Sequence, residues 1–182
     1  MAIEFTVKGA NDVYLYLNNS HLHVLAKIIK ADGTNIDRNT AALINLTLHS
    51  MFRVIGLELY GRNVGDKSKL YPYRYVLKSL LNYCKEVQET CLLSEGWIKD
   101  TSGHINVTAV GGNFAGYNAR AATFARSTQI ELIGRFHLDV FHKSALLLQI
   151  SISTWSWLCH RTTFCANRRR QVKELSRKIT SL

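Results

Sequence analysis

Several groups of residues in this 182-residue chain have types and spacings that could carry chemistry. His21 and His23 stand two apart in an alternating run, so they share one strand face, the way a two-histidine metal site is built. No third ligand stands at a recognisable spacing, and neutral histidines are common on half-exposed strands. His137 and Asp139 repeat that i, i+2 placement and can be drawn as an acid/base pair, but no nucleophile accompanies them, and the same placement describes a solvated strand face. Cys159, His160 and Cys165 bring metal-ligating types together without the second pair that a tetrahedral site needs. The run Gly111-Gly112-Asn113-Phe114-Ala115-Gly116 lacks both the Gly-Lys-Ser/Thr ending of a phosphate loop and the Gly-x-Gly-x-x-Gly spacing of a dinucleotide fold. No clear amphipathic helix follows it, and it reads as a flexible surface loop. Gly-x-Ser-x-Gly, His-Glu-x-x-His and Cys-x-x-Cys motifs are all missing from the sequence. The expectation is a protein with no catalytic residues, no cofactor and no metal ligands, which turns over no common ester, peptide or phosphate substrate.

Charge is the stronger signal. The chain carries a formal +10, and its last 24 residues hold seven of the basic groups, Arg161, Arg168, Arg169, Arg170, Lys173, Arg177 and Lys178, against the single acid Glu174. Such a tail is attracted to polyanions without regard to their sequence, so Arg168, Arg169, Arg170, Lys173, Arg177 and Lys178 are the candidate nucleic-acid contacts. Val172, Leu175 and Ile179 fall at helical spacing and predict a basic amphipathic helix over residues 168–179, weakly docked on the rest.

The elements that would position these residues read mostly as strands. Alternation runs through residues 3–7, 13–17, 22–29, 55–59 and 136–140, with turn chemistry at Asp32-Gly33 and Gly61-Arg62-Asn63. Gly134 predicts a bend between an apolar run at 129–133 and the alternating Phe136, Leu138 and Val140. Residues 43–52 are apolar without a clean period and fit either a short helix or a buried strand. Pro72 opens the one long helical pattern, about 72–88, in which Val76, Leu77, Leu80 and Leu81 are expected to face the core and Leu80→Ala to cost about 2–5 kcal/mol. Four irregularly spaced cysteines do not make a disulfide scaffold, and neither an apolar leader nor a membrane-spanning run is present. The three Asn-x-Ser/Thr triplets, at Asn18, Asn45 and Asn106, are therefore expected to be chance matches, and the protein is expected to stay off the secretory route.

Five blocks in order resemble the capsid-like proteins of Polinton (Maverick) elements and adintoviruses: residues 25–35, Leu48-His49-Ser50-Met51-Phe52, Tyr71-Pro72-Tyr73-Arg74, Leu80-Leu81-Asn82-Tyr83, and residues 130–141, Ile-Glu-Leu-Ile-Gly-Arg-Phe-His-Leu-Asp-Val-Phe. The last block is the most specific. The resemblance implies a structural virion protein whose longer relatives are double jelly-roll subunits that assemble as trimers into a shell. Together the two readings predict an all-β, antiparallel jelly-roll β-sandwich with one helical insertion, occupying residues 1–148 as the first half of such a subunit, followed by a divergent basic tail at 149–182. The expected function is that of a capsid-like structural protein, a truncated copy without enzymatic activity, located in a virion or otherwise in the cytoplasm or nucleus. Its expected partners are copies of itself and non-specific nucleic acid, with no membrane. The alternatives are a nucleic-acid-binding protein acting through the tail and a lectin-like ligand-binding β-sandwich.

Overall fold

The computed structural model describes residues 2–7, 14–30, 32–38, 41–59, 61–65, 68–104, 114–144, 146–148, 153–159 and 170–178; for 2–7, 148, 153–159 and 170–178 it describes the backbone alone. The glycines at 111–113, and His160, Cys165, Arg168 and Arg169, lie outside these residues.

The strands are β1 (Ala2–Val7), β2 (Tyr14–Leu15), β3 (His21–Lys30), β4 (Phe52–Leu59), β5 (Arg62–Asn63), β6 (Ile130–Arg135), β7 (Leu147–Leu148), β8 (Ser153–Cys159) and β9 (Arg170–Lys178). They pair antiparallel in the orders β1-β8-β4-β5, β6-β3-β9 and β2-β7. β3 behaves as its pattern predicts: Leu22, Val24, Ala26 and Ile28 are buried and the residues between them are half-exposed. β4 turns back at Gly61, whose φ of +72° is the left-handed conformation that glycine adopts without a Cβ penalty, and β5 pairs with its end.

The all-β jelly-roll sandwich is not what forms. The chain is mixed α/β, with helices α1 (Thr47–Ser50), α2 (Tyr71–Asn82), α3 (Lys85–Glu89) and α4 (Ala115–Thr123) and four 3-10 turns among the described residues. Helical and 3-10 segments fill much of the chain between β5 and β7, where a sandwich would need strands. The glycine run is one instance. Ala115 and Gly116 open α4, which buries Gly116, Tyr117, Arg120 and Ala121 at i, i+1, i+4 and i+5. A Cβ on Gly116 would lie 2.5 Å from the Lys99 carbonyl oxygen, so this close seat requires glycine. Arg120 is buried there and satisfied: Nε donates to Leu43 O and Nη1 to Ile98 O, both at 3.0 Å, and Nη1 lies 2.8 Å from Asp100 Oδ1.

Two further expectations fail locally. The strand predicted at 136–140 does not form: β6 runs through Gly134 and ends at Arg135, and the chain enters a 3-10 turn at Asp139–His142. Phe136, His137 and Leu138 are all buried, so alternation stops where pairing stops. The expected helix at 168–179 is strand β9, paired with β3 from Arg170 to Lys178, and β8 pairs with both β1 and β4.

The largest core joins Leu22, Val24 and Ala26 of β3, Phe52, Ile55 and Leu57 of β4, Leu132 of β6, and Leu48, Met51, Phe136, Leu138 and Phe141 around them. Tyr71, the first residue of α2, closes that core, and Tyr75 sits with Leu46, Leu92 and Trp97 in a neighbouring one. α1, α2 and the segment after β6 therefore converge on one region.

Candidate functional site

Two features emerge that sequence patterning did not identify. The first is an exposed apolar stripe on α2. The helix starts where Pro72 predicts, but it presents the opposite face: Tyr71, Tyr75 and Ser79 are buried, whereas Leu77 is 58%, Leu80 52% and Leu81 80% exposed, with Leu70 and Tyr73 beside them. The reason is visible at the buried face, where two tyrosines reach polar partners that leucines could not satisfy. α2 also ends earlier than expected, at Asn82, because Gln88 of α3 folds back and donates through Nε2 to the carbonyls of Ser79 and Tyr83, both at 3.0 Å. The expected buried set Leu77, Leu80 and Leu81 is thus a solvent face, and Val76 is half-buried.

The second feature is a buried polar cluster beneath α2. His49 comes from α1, Glu95 from the last position of the 3-10 turn Cys91–Glu95, and His137 from the segment after β6. They are 0%, 6% and 4% exposed, and one ligand atom of each lies within 4.8 Å of the others. Tyr75 Oη donates to Glu95 Oε2. His49 Nε2 faces the same oxygen at 3.5 Å, and His49 Nδ1 shares a 2.8 Å hydrogen bond with Tyr71 Oη. The Tyr71 oxygen also takes the His137 backbone N–H. The rings pack tightly, with the Tyr75 and His137 centroids 3.8 Å apart and those of His49 and Tyr75 4.1 Å apart.

Local sequence explains how the cluster is held. Leu46 adopts a left-handed conformation (φ +53°) to start α1, and Asn45 fixes that turn: its Oδ1 accepts from the N–H groups of Leu46 and Ile98, both at 2.9 Å, while its Nδ2 donates to Ile98 O at 2.7 Å. Gly96 (φ +83°) lets Thr47 approach so closely that a Cβ there would be 2.9 Å from the Thr47 Cβ. Ser94 Oγ donates to Ile133 O at 2.9 Å and ties the turn carrying Glu95 to β6.

Burial sets the electrostatics. The His137 imidazole is pushed far below the ordinary histidine range, first by desolvation and then by electrostatic interaction with His49, His142, Lys78 and Arg135, so it stays neutral. Burial raises the Tyr71 and Tyr75 phenols, and the Glu95 charge adds to both, so they remain protonated. Two ring nitrogens of this cluster, His49 Nε2 and His137 Nδ1, are buried with no hydrogen-bond partner among the described residues. Each such orphan costs about 1–3 kcal/mol, so a group that takes both lone pairs would be favoured here.

The residues singled out in the sequence fall elsewhere, His137 apart. His21 and His23 sit on the half-exposed face of β3, where His23 Nε2 lies 2.5 Å from Glu131 Oε1. Asp139 is exposed and 2.7 Å from Arg74 Nη2, while His137 turns inward, so the acid/base pair does not exist. Among the basic residues of the tail, Arg170, Lys173, Arg177 and Lys178 lie on β9, and the register places Arg170 opposite Lys30, Arg177 opposite Val24 and Lys178 opposite His23. Cys84 and Cys91 are exposed free thiols. Among the described residues, no helix is long and apolar enough to cross a membrane. No family model matches the chain, and neither a curated protein nor a solved structure is significantly similar to it.

Proposed function

We propose that this chain is a self-associating structural protein of the capsid-like kind, without catalytic activity, and that it associates through α2. The observation that carries the reading is the exposed stripe Leu70, Tyr73, Leu77, Leu80 and Leu81, which recurs at i, i+3, i+7 and i+10 or i+11 along one side of the helix. That spacing is the seam of a helix with a helical partner, and contiguous apolar surface of this kind marks an interaction site on a soluble protein. A second copy of the same chain offers a matching seam by symmetry. Self-assembly is also what the similarity of its sequence blocks to Polinton capsid-like proteins implies, and the reading depends on that association and not on a jelly-roll architecture. Arg74 and Lys78 flank the stripe, so a pair of seams would meet with cations at its margin, a geometry that salt would favour by screening.

Sedimentation or light scattering across a concentration series tests this. The wild-type chain is expected to self-associate, and a Leu77→Glu/Leu81→Glu variant to remain monomeric with an unchanged thermal midpoint. A wild-type monomer at its highest soluble concentration overturns the proposal. The same preparations distinguish the nucleic-acid reading: salt-sensitive retention on a polyanion that disappears when Arg170, Lys173, Arg177 and Lys178 are neutralised would place the function in β9.

A further inference from the structure

We infer that His49, Glu95 and His137 form a binding site for one zinc ion, held as a structural clasp between α1, the Cys91–Glu95 turn and the segment after β6. The inference is independent of the self-association proposed above, since α2 presents its stripe on the side away from these residues.

Geometry carries it first. Two ligands about 2.0–2.1 Å from a tetrahedral zinc lie about 3.3 Å apart, and His49 Nε2 and Glu95 Oε2 are already separated by 3.5 Å. The third ligand, from His137, offers an atom within 4.8 Å of the other two. His49 Nε2 and His137 Nδ1, which have no hydrogen-bond partner among the described residues, are the nitrogens that an ion would use. The Glu95 carboxylate, 3.5 Å from His49 Nε2, completes the set.

The surrounding groups also suit ligation. A ligating histidine commonly donates its other ring N–H to an oxygen, which fixes the tautomer, and His49 Nδ1 has Tyr71 Oη at 2.8 Å for this purpose. Tyr75 holds Glu95 Oε2 through its phenol, and no other side-chain hydrogen bond to the carboxylate is made among the described residues. Gly134 supplies the room: a Cβ there would lie 2.5 Å from Glu95 Oε1, so the carboxylate can lie across β6 only over glycine.

Ligand chemistry chooses the ion. Calcium takes six to eight oxygens and magnesium an octahedron rich in water, which two imidazoles and one buried carboxylate cannot supply. Neutral imidazole with a carboxylate suits zinc, and sites with three protein ligands take a water in the fourth position. Because all three residues are at most 6% exposed, substrate has no route to the ion, and its role is to tie together segments distant in sequence.

The test uses the full chain, stripped with chelator and titrated with Zn²⁺ by calorimetry and with Co²⁺ by visible absorption. Expected are one equivalent of zinc, a raised thermal midpoint, and the intense d–d bands of four-coordinate cobalt. His137→Gln and Glu95→Gln should each weaken binding by about 100-fold or more, and Tyr71→Phe by about 10-fold to 100-fold. His21→Ala/His23→Ala should leave binding unchanged. The inference is overturned by an absence of stoichiometric binding, by the weak absorption of octahedral cobalt, or by zinc affinity that survives His137→Gln and disappears with His21 and His23. Because the cobalt spectrum is read on the wild-type chain, a variant that fails to fold does not remove the test.

Discussion

Gly134 and Glu95 compete for one volume: a methyl group placed on Gly134 would lie 2.5 Å from Glu95 Oε1 and 2.6 Å from its Cγ. Gly134 therefore continues β6, and it also lets a carboxylate from a distant turn lie against the strand and reach His49 and Tyr75. Gly134→Ala must push that side chain aside and is expected to destabilise the fold by about 1–3 kcal/mol. If the clash is the cause, Gly134→Ala added to a Glu95→Ala background should cost markedly less than alone. Equal costs in the two backgrounds, read by denaturant unfolding as a double-mutant cycle, would place the strain elsewhere.

The two faces of α2 make opposite predictions. Tyr75 is 1% exposed and bonded to Glu95, so Tyr75→Ala is expected to cost about 3–5 kcal/mol through lost packing and an unpaired carboxylate. Leu80 is 52% exposed, so Leu80→Ala should stay within about 0.5 kcal/mol of the wild type when measured on the monomer. This reverses the cost expected from spacing alone. Equilibrium urea unfolding at low protein concentration measures both, and a large loss at Leu80 would mean that the stripe is covered in solution.

The contrast shows what was legible in the sequence. Pro72 and the 3.6-residue period locate α2, and the alternation of Leu22, Val24, Ala26 and Ile28 locates β3 and its buried face, because local propensity and tertiary burial agree at both places. On α2 they disagree: the leucines define the most apolar side, yet Tyr71 and Tyr75 win the core because only they satisfy His49 and Glu95. The polar cluster itself left no local trace. Its three members come from three separate segments, and a lone histidine in Leu48-His49-Ser50 or Phe136-His137-Leu138 looks like any other. His137 illustrates the loss, since period-2 alternation places it on a solvated face, whereas the strand ends at Arg135 and frees the ring to turn inward.

That inward turn has a pH signature. In the metal-free protein His137 is neutral when folded, with burial the first cause and His49, His142, Lys78 and Arg135 adding to it; the Glu95 carboxylate in the same cluster opposes the shift, and Tyr75 and Tyr83 also face the ring but carry no charge. In the unfolded chain the imidazole takes a proton below about pH 6.5. The folded pKa is the lower one, so below about pH 6.5 the unfolded state binds more protons, and stability is full above about pH 6.5 and lost as the pH falls from there toward the folded pKa. The slope for one such group approaches about 1.4 kcal/mol per pH unit. His142 is shifted the same way but is exposed, so it adds less. With chelator present, the unfolding midpoint is expected to fall between about pH 7 and pH 5, and a His137→Asn variant to show a shallower decline. A midpoint that is flat over this range in the wild type would mean that His137 is protonated in the folded protein.

Asn45 offers a test of how the site is positioned. Its side chain accepts from Leu46 N–H and Ile98 N–H and donates to Ile98 O, closing the left-handed turn that starts α1 against the segment after Gly96. Asn45→Ala removes these bonds and leaves two partly buried N–H groups without that oxygen, for an expected loss of about 2–3 kcal/mol. Asn45→Asp separates the contributions, because it keeps an acceptor for both N–H groups but loses the donor and sets a second carboxylate near Asp100, whose Oδ2 is 3.4 Å from Asn45 Nδ2. Aspartate should therefore be tolerated better as the pH falls and its charge is neutralised, whereas the alanine variant should not recover by this route. Since His49 rides on the same helix, the alanine variant should also weaken zinc binding, and urea unfolding together with zinc titration reads both effects. An Asn45→Ala protein with wild-type stability would show that Leu46 holds its conformation without the clamp.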